Sequence, residues 1–370
     1  MINALNQKNQ ISYTYNEQRI LFYFFKNVHI PVLIPVYKKF KIIYPEANIA
    51  FSSMSHAPEI RAGLTQHELS FIKSYDEPLY RVPQDFHPDL TFIADSVYPW
   101  VKNCGKLVHV GHGVLSKGQY YTDTPTARRE ELADMVCVPG KHHQTIMRRI
   151  ISKPVVATGM PKLDELFAGR VTRASVLEQY GLPSDYHYVL FAPTFNDELS
   201  AIPFVHDRIG KVLPDDKILL IIKLHPSTKA EYKDMYRALP NRDKRVIYAD
   251  ELDITPFLAL CDVMISDVSS ALMEFAALDK PVILFNNPNW SSYPNFNPAD
   301  IEFQWRDIGI QVATLDEMRV AVSTYLQNPS LHADKRKKYT DLLFANKHDG
   351  KAAERIVKLA LSLLSAENDR

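Results

Sequence analysis

The sequence predicts an α/β protein of two doubly wound, Rossmann-like halves facing a cleft, and three observations carry that expectation. Short apolar runs suited to strands recur at intervals that leave room for βαβ units. Helix-length amphipathic stretches lie between several of those runs. The chain has 370 residues, more than one ordinary domain of about 100–200 residues.

The first series of strands is expected at 19–25, 47–52, 90–94, 107–110, 135–138 and 155–158, with helical stretches at 126–132 and 142–151. A helical connector at 164–180 ends in Gly181, a residue suited to closing a helix. The second series runs 188–192, 218–223, 245–248, 263–266 and 281–285, separated by helices at 230–239 and 255–260. From Leu315 onward the pattern is helical, with final helices at 331–345 and 351–366. The boundaries that follow are a first half at 1–163, a second at 164–350 and a terminal helix at 351–370. The run Lys335, Arg336, Lys337, Lys338 reads as a solvated helix face, with contact to anionic lipid as the alternative.

Composition narrows the function. The 43 basic and 43 acidic side chains cancel, so no global charge marks a nucleic-acid binder, and any phosphate site must be local. The three cysteines, Cys104, Cys137 and Cys261, stand apart in apolar stretches with no CxxC pair. That reads as buried thiols and a cytoplasmic setting. The first residues are polar and lack the apolar core of a signal peptide. No stretch reaches the roughly 18–20 apolar residues that cross a bilayer. The most apolar region, 20–36, is interrupted by Lys26, His29, Pro31 and Pro35, and reads as strand, loop and helix start. A peripheral contact of this segment with the inner membrane surface is the other reading.

In folds of this kind ligands gather at the carboxyl ends of strands. The most informative of these loops lies within CDVMISDVSSALMEFAALDKPVILF, residues 261–285. Val263–Ser266 suits a buried strand and 271–278 a helix, with Asp267, Ser269 and Ser270 between them. Unpaired N–H groups at a helix start attract phosphate, and Glu274 stands where a carboxylate could accept hydrogen bonds from a ribose diol. A serine N-cap on an ordinary αβ unit is the alternative reading. After the 107–110 strand, Gly111 and Gly113 flank His112, so the backbone can turn sharply and present an imidazole suited to proton transfer; Lys117 follows. Lys223 and His225 end the 218–222 strand on the same side and could neutralise a diphosphate. Thr194 could add a hydroxyl. The turn at Gly159, Pro161 and Lys162 could offer backbone groups to a nucleobase, and His29 is a further cleft candidate. HExxH, GxxxxGK[ST] and GxGxxG patterns do not occur, so no metal or cofactor is expected.

These loops, in this order, resemble the CDP-glycerol glycerophosphotransferase family of teichoic-acid primases and polymerases. The matching positions are His112, Gly113, Lys117 and Gly118; Gly159, Pro161 and Asp164; Pro193 and Thr194; Lys223, His225 and Pro226; and Asp267, Ser269, Ser270, Glu274, Lys280 and Pro281. The closing HDGKAAERIV, 348–357, is similar as well. The resemblance spans roughly 105–357. It departs at 286–310, where Arg306 and Asp307 remain but a Tyr…Arg-Gly pattern does not. The resemblance implies a glycosyltransferase-B fold and transfer of a polyol phosphate from a CDP-linked donor to a polyol-phosphate, glycan or lipid-linked acceptor, with CMP released. His112 would then be the general base, and His225 with Lys223 would stabilise the diphosphate. Ser269 and Ser270 would bind phosphate, and Glu274 the ribose. An enzyme of the same fold using a UDP- or CMP-sugar is the nearest rival reading. A non-catalytic nucleotide-binding scaffold is the other.

Overall fold

The structure, a computed structural model, describes residues 18–53, 63–95, 97–111, 113, 120–344 and 348–368. Its first sheet holds seven parallel strands: β1 (Arg19–Tyr23), β2 (Asn48–Ser52), β3 (Leu79–Tyr80), β4 (Leu90–Ile93), β5 (Lys106–His109), β6 (Met135–Val138) and β7 (Val155–Ala157). Their order across the sheet is β3-β2-β1-β4-β5-β6-β7. The second sheet holds six: β8 (His187–Phe191), β9 (Ile218–Ile222), β10 (Val246–Tyr248), β11 (Val263–Ser266), β12 (Val282–Phe285) and β13 (Ile310–Val312), ordered β10-β9-β8-β11-β12-β13. Both are doubly wound, as the strand spacing predicts. Strands buried on both faces read as continuous apolar runs, and β9, Ile-Leu-Leu-Ile-Ile, is buried at every position.

Strand order fixes where a ligand can enter. In the second sheet the order reverses between β8 and β11, which pair directly through Val263↔Val189 to Ile265↔Phe191. The chain leaves these two strands in opposite directions and opens a crevice at their carboxyl ends. In the first sheet the reversal falls between β1 and β4.

The C-terminal helix Ala352–Asn368 is not a separate unit. Its Ile356, Val357, Ala360 and Leu364 pack into the core of the first sheet with Phe40, from the helix Ile30–Ile43, and Phe92. Asp164 ties it down: its buried carboxylate accepts the Ala352 and Ala353 N–H groups at 2.9 and 2.8 Å, satisfying donors that a helix start leaves unpaired. Gly350, at φ +70, lies where a Cβ would stand 2.8 Å from the Asp164 carbonyl oxygen. Two segments far apart in sequence, 159–164 and 348–357, thus form one clasp.

Several expectations need correction. The connector at 164–180 is two helices, Asp164–Phe167 and Arg173–Tyr180, parted where Gly169 turns left-handed. Gly181 does close the second, at φ 62. The stretch at 126–132 is a short helix Pro125–Arg128 running into a 3₁₀ turn. Strands β3 and β13 have no counterpart in the expected series. In the basic run, Arg336 is only 1% exposed and binds Asp279, the Leu331 carbonyl and the Pro329 carbonyl. Its lysine neighbours do sit at the surface, Lys335 on Asp307 and Lys337 on Asp341. Among the described residues no helix is long and apolar enough to cross a membrane.

Candidate active site

The crevice predicted by strand order is present as a cavity of about 140 Å³, lined by Lys162, Pro193, Lys223, His225, Asp253, Ser269, Ser270 and Glu274. Asn27 and Val28, beyond the end of β1, close it from the first sheet's side. A wider opening of about 670 Å³ adjoins it and shares Lys223, His225 and Asn27.

Glu274 is the most deeply buried charge lining the cavity. It lies one turn into the short helix Ala271–Ala276 and is 1% exposed. Lys162, on the 3₁₀ turn after Gly159, reaches across to it, with Nζ 2.6 Å from Oε2. The carboxylate's other oxygen and the Ser270 hydroxyl lie against Gly113: a Cβ placed there would sit 3.6 and 3.5 Å from them. One side of the turn expected to carry His112 therefore rests on the serine–glutamate loop. His112 itself, with Lys117 and Gly118, lies outside the described residues.

Lys223 follows β9 and is buried; desolvation holds its ammonium below the usual range, while Glu251 and Asp253 pull the other way. An anion in the cavity would relieve that penalty. His225 accepts the Ser227 N–H at Nδ1, 3.0 Å away, and stacks on Phe195 at 4.5 Å. With Nδ1 an acceptor, the neutral ring carries its proton on Nε2 and can donate from there.

Other expected site residues work beneath the cavity rather than in it. Asp267 is fully buried and accepts N–H groups from Thr194 (2.9 Å), Ala201 (3.0 Å) and Val268 (2.7 Å). Burial still lifts its carboxyl above the ordinary range. It fixes the loops after β8 and β11 to each other and is not among the residues that line the cavity. Thr194 is buried, and its backbone rather than its hydroxyl serves this brace; Ala192 and Pro193 line the cavity in its place. Gly159, at φ +91, donates its N–H to the Pro139 carbonyl, and Pro161 is buried at the start of the 3₁₀ turn. Neither lines the cavity; the turn's contribution is Lys162. His29 is buried with its ring edge-on to Phe25 at 4.3 Å. Lys280 donates to the carbonyls of Leu258, Ala259 and Cys261, closing the helix Thr255–Leu260, and burial lowers its pKa to about 8. Arg306, lowered to about 10 by burial, donates to the Asn286 side chain and to the carbonyls of Phe285 and Asp267. Sequence reasoning gave Lys162 and Arg306 no such roles, because their partners lie far away along the chain.

A family profile described as CDP-Glycerol:Poly(glycerophosphate) glycerophosphotransferase matches residues 85–362. The chain belongs to this family. Among members of known name, a teichoic acid glycerol-phosphate primase of Bacillus spizizenii is 29% identical over 257 residues, 60% of this chain and 66% of that protein. A teichoic acid poly(ribitol-phosphate) polymerase of the same organism is 29% identical over 215 residues, 55% of this chain and 33% of that protein. The chain thus spans under two thirds of the length of these relatives. The solved structure of the wall teichoic acid polymerase TagF superposes with a TM-score of 0.68 at 16% identity, covering 96% of this chain and 90% of that one. The glycosyltransferase-B architecture expected of a glycerophosphotransferase is therefore the one found.

Proposed function

We propose that the protein transfers a polyol phosphate, glycerol phosphate in the first instance, from a CDP-polyol to a hydroxyl of a cell-envelope glycan or lipid-linked acceptor and releases CMP. The observation that carries this reading is the convergence of Lys162, Lys223, His225, Ser269, Ser270 and Glu274 on one cavity at the strand-order reversal, in a chain of this family. The relatives' names do not fix the polyol, since one is a glycerol-phosphate and another a ribitol-phosphate enzyme.

In this mechanism the acceptor oxygen attacks the phosphorus that bears the polyol. The bond from that phosphorus to the bridging oxygen breaks, and CMP leaves with the electron pair. His112 takes the acceptor's proton. His225, donating from Nε2, and the buried ammonium of Lys223 stabilise charge on the departing phosphate. Ser269 and Ser270 bind the diphosphate, and Glu274, oriented by Lys162, receives ribose hydroxyls. The positive charge here comes from side chains, and the reading requires no metal ion. The three buried, unbridged cysteines support a cytoplasmic site of action, near the inner membrane face where a lipid-linked acceptor would be met.

The test is CMP release from CDP-glycerol and CDP-ribitol, with UDP-sugars as controls and bacterial lipid-linked glycans as acceptors. Acceptor-dependent CMP from one CDP-polyol is expected. UDP from a sugar nucleotide, with no CMP from either polyol, would overturn the substrate class and leave the fold.

A further inference from the structure

The proposed mechanism gives the donor's base no partner. The turn expected to receive it does not reach the cavity at Gly159 or Pro161, and its Lys162 is engaged by Glu274. Among the described polar residues that line the cavity, Asn27 and Asp253 alone have no task in the mechanism. Asn27 also lines the wider opening, where an acceptor has room to enter. Asp253 lines the smaller cavity and not that opening.

Asp253 stands in the loop between β10 and the helix Thr255–Leu260. Its Oδ1 accepts the Thr255 N–H at 3.0 Å and the Thr255 hydroxyl at 2.8 Å, which anchors the carboxylate. Its Oδ2 has no hydrogen-bond partner among the described residues. The wall beside it is apolar: Leu252 and Ile254 flank Asp253 in sequence, and Ala271 lines the same cavity. Ile254 and Ala271 pack against one core. Ala271 lies three residues before Glu274 on one helix and shares its face, so a ribose held by Glu274 brings its base beside Ala271. An apolar wall for the ring and a polar group for its edge are what a heterocycle needs.

We propose that Asp253 reads the base of the donor and selects cytosine over uracil. This assignment rests on the transferase reading and extends it from the class of donor to the residue that recognises it. The two bases differ at ring position 4, where cytosine carries an amino group that donates and uracil a carbonyl oxygen that accepts. A carboxylate oxygen only accepts. Asp253 Oδ2 can therefore take a hydrogen bond from the cytosine amino group, whereas it repels the uracil oxygen. The selection acts at the end of the donor away from the reacting phosphorus, so it shows in donor affinity.

The test is calorimetry of CDP and UDP against wild type and Asp253→Asn. The amide keeps an oxygen for Thr255 and turns the other position from acceptor to donor, which suits uracil and not cytosine. Loss of a hydrogen bond to a charged group corresponds to about ten- to hundredfold in affinity. The ratio of CDP to UDP affinity should therefore fall about tenfold or more in the variant. A smaller change would overturn the proposal, since a purely helix-capping role moves both ligands together. Should the variant fail to fold, the ligand is altered instead: a CDP analogue with hydrogen in place of the 4-amino group should bind wild type about ten- to hundredfold more weakly than CDP. Equal binding of that analogue would overturn the proposal. A wild type that binds UDP as tightly as CDP and releases no CMP from either CDP-polyol would bring down the transferase reading itself, and this assignment with it. An active, CDP-preferring wild type whose preference survives in Asp253→Asn would remove this assignment alone.

Discussion

Replacing Lys162 with methionine would remove the ammonium that, among the described residues, pairs with the Glu274 Oε2 oxygen. The pair is short, 2.6 Å, and well shielded, with the lysine side chain 12% and the glutamate 1% exposed. Methionine fills much of the same space, so packing loss is minor and the main cost is a buried carboxylate left uncompensated. Breaking such a pair costs about 3–5 kcal/mol. At about 2–4 °C per kcal/mol for domains of this size, Tm should fall by roughly 6–20 °C. The assay is urea and thermal unfolding of Lys162→Met, Glu274→Gln and the double variant. Once Glu274 is neutral, losing the ammonium should matter much less, giving a coupling of about 2 kcal/mol or more. Additive single effects, within about 0.5 kcal/mol, would refute the claim that these side chains form one buried unit joining the two halves.

Asp164→Ala leaves two helix-start N–H groups without an acceptor and should cost about 2–4 kcal/mol, while calorimetric affinity for CDP-glycerol stays at the wild-type value. Weakened donor binding with unchanged stability would instead return the 159–164 turn to the ligand site. Asp267→Asn cannot accept all three N–H groups at once, and one buried donor left unpaired costs about 1–3 kcal/mol; a wild-type urea midpoint would contradict the brace. His109, the last residue of β5, and Glu130 are both buried and stand 2.8 Å apart, and this pair makes a pH prediction. Its folded-state pKa is raised, so its stabilisation is full below the unfolded imidazole value of about 6.5 and is lost as pH rises through the folded value. The difference in urea midpoint between wild type and Glu130→Gln should therefore shrink as pH rises from 6 to 9, and a constant difference would argue against a charged pair.

Much of the architecture was legible in the sequence because parallel strands buried on both faces leave unbroken apolar runs. Met135–Val138, Val263–Ser266 and the helix Thr255–Leu260 fall where those runs predict. The edge strands β3 and β13 were not legible, being two and three residues long with little apolar signal. The site divides in the same way. Lys223, His225, Ser269, Ser270 and Glu274 could be found because each stands just beyond a recognisable strand. What could not be read was which way the remaining side chains turn. Asp267 looks like a ligand residue in a polar loop, but its acceptor oxygens are used by Thr194 and Ala201, 73 and 66 residues away. Lys162 looks like a surface lysine until Glu274, 112 residues on, is brought beside it. Asp164 and the closing segment meet across 188 residues. Tertiary partners at such separations leave no trace in local spacing.

In the proposed reaction the cavity between Lys223–His225 and Ser269–Glu274 holds the CDP end of the donor. Isothermal calorimetry of CDP-glycerol against wild type and Glu274→Gln tests it most directly. Loss of a hydrogen bond to a charged group, about 1.5–3 kcal/mol, predicts binding weaker by roughly ten- to hundredfold in a variant that remains folded. Equal affinity in the two proteins would contradict the claim and move the donor elsewhere in the cleft.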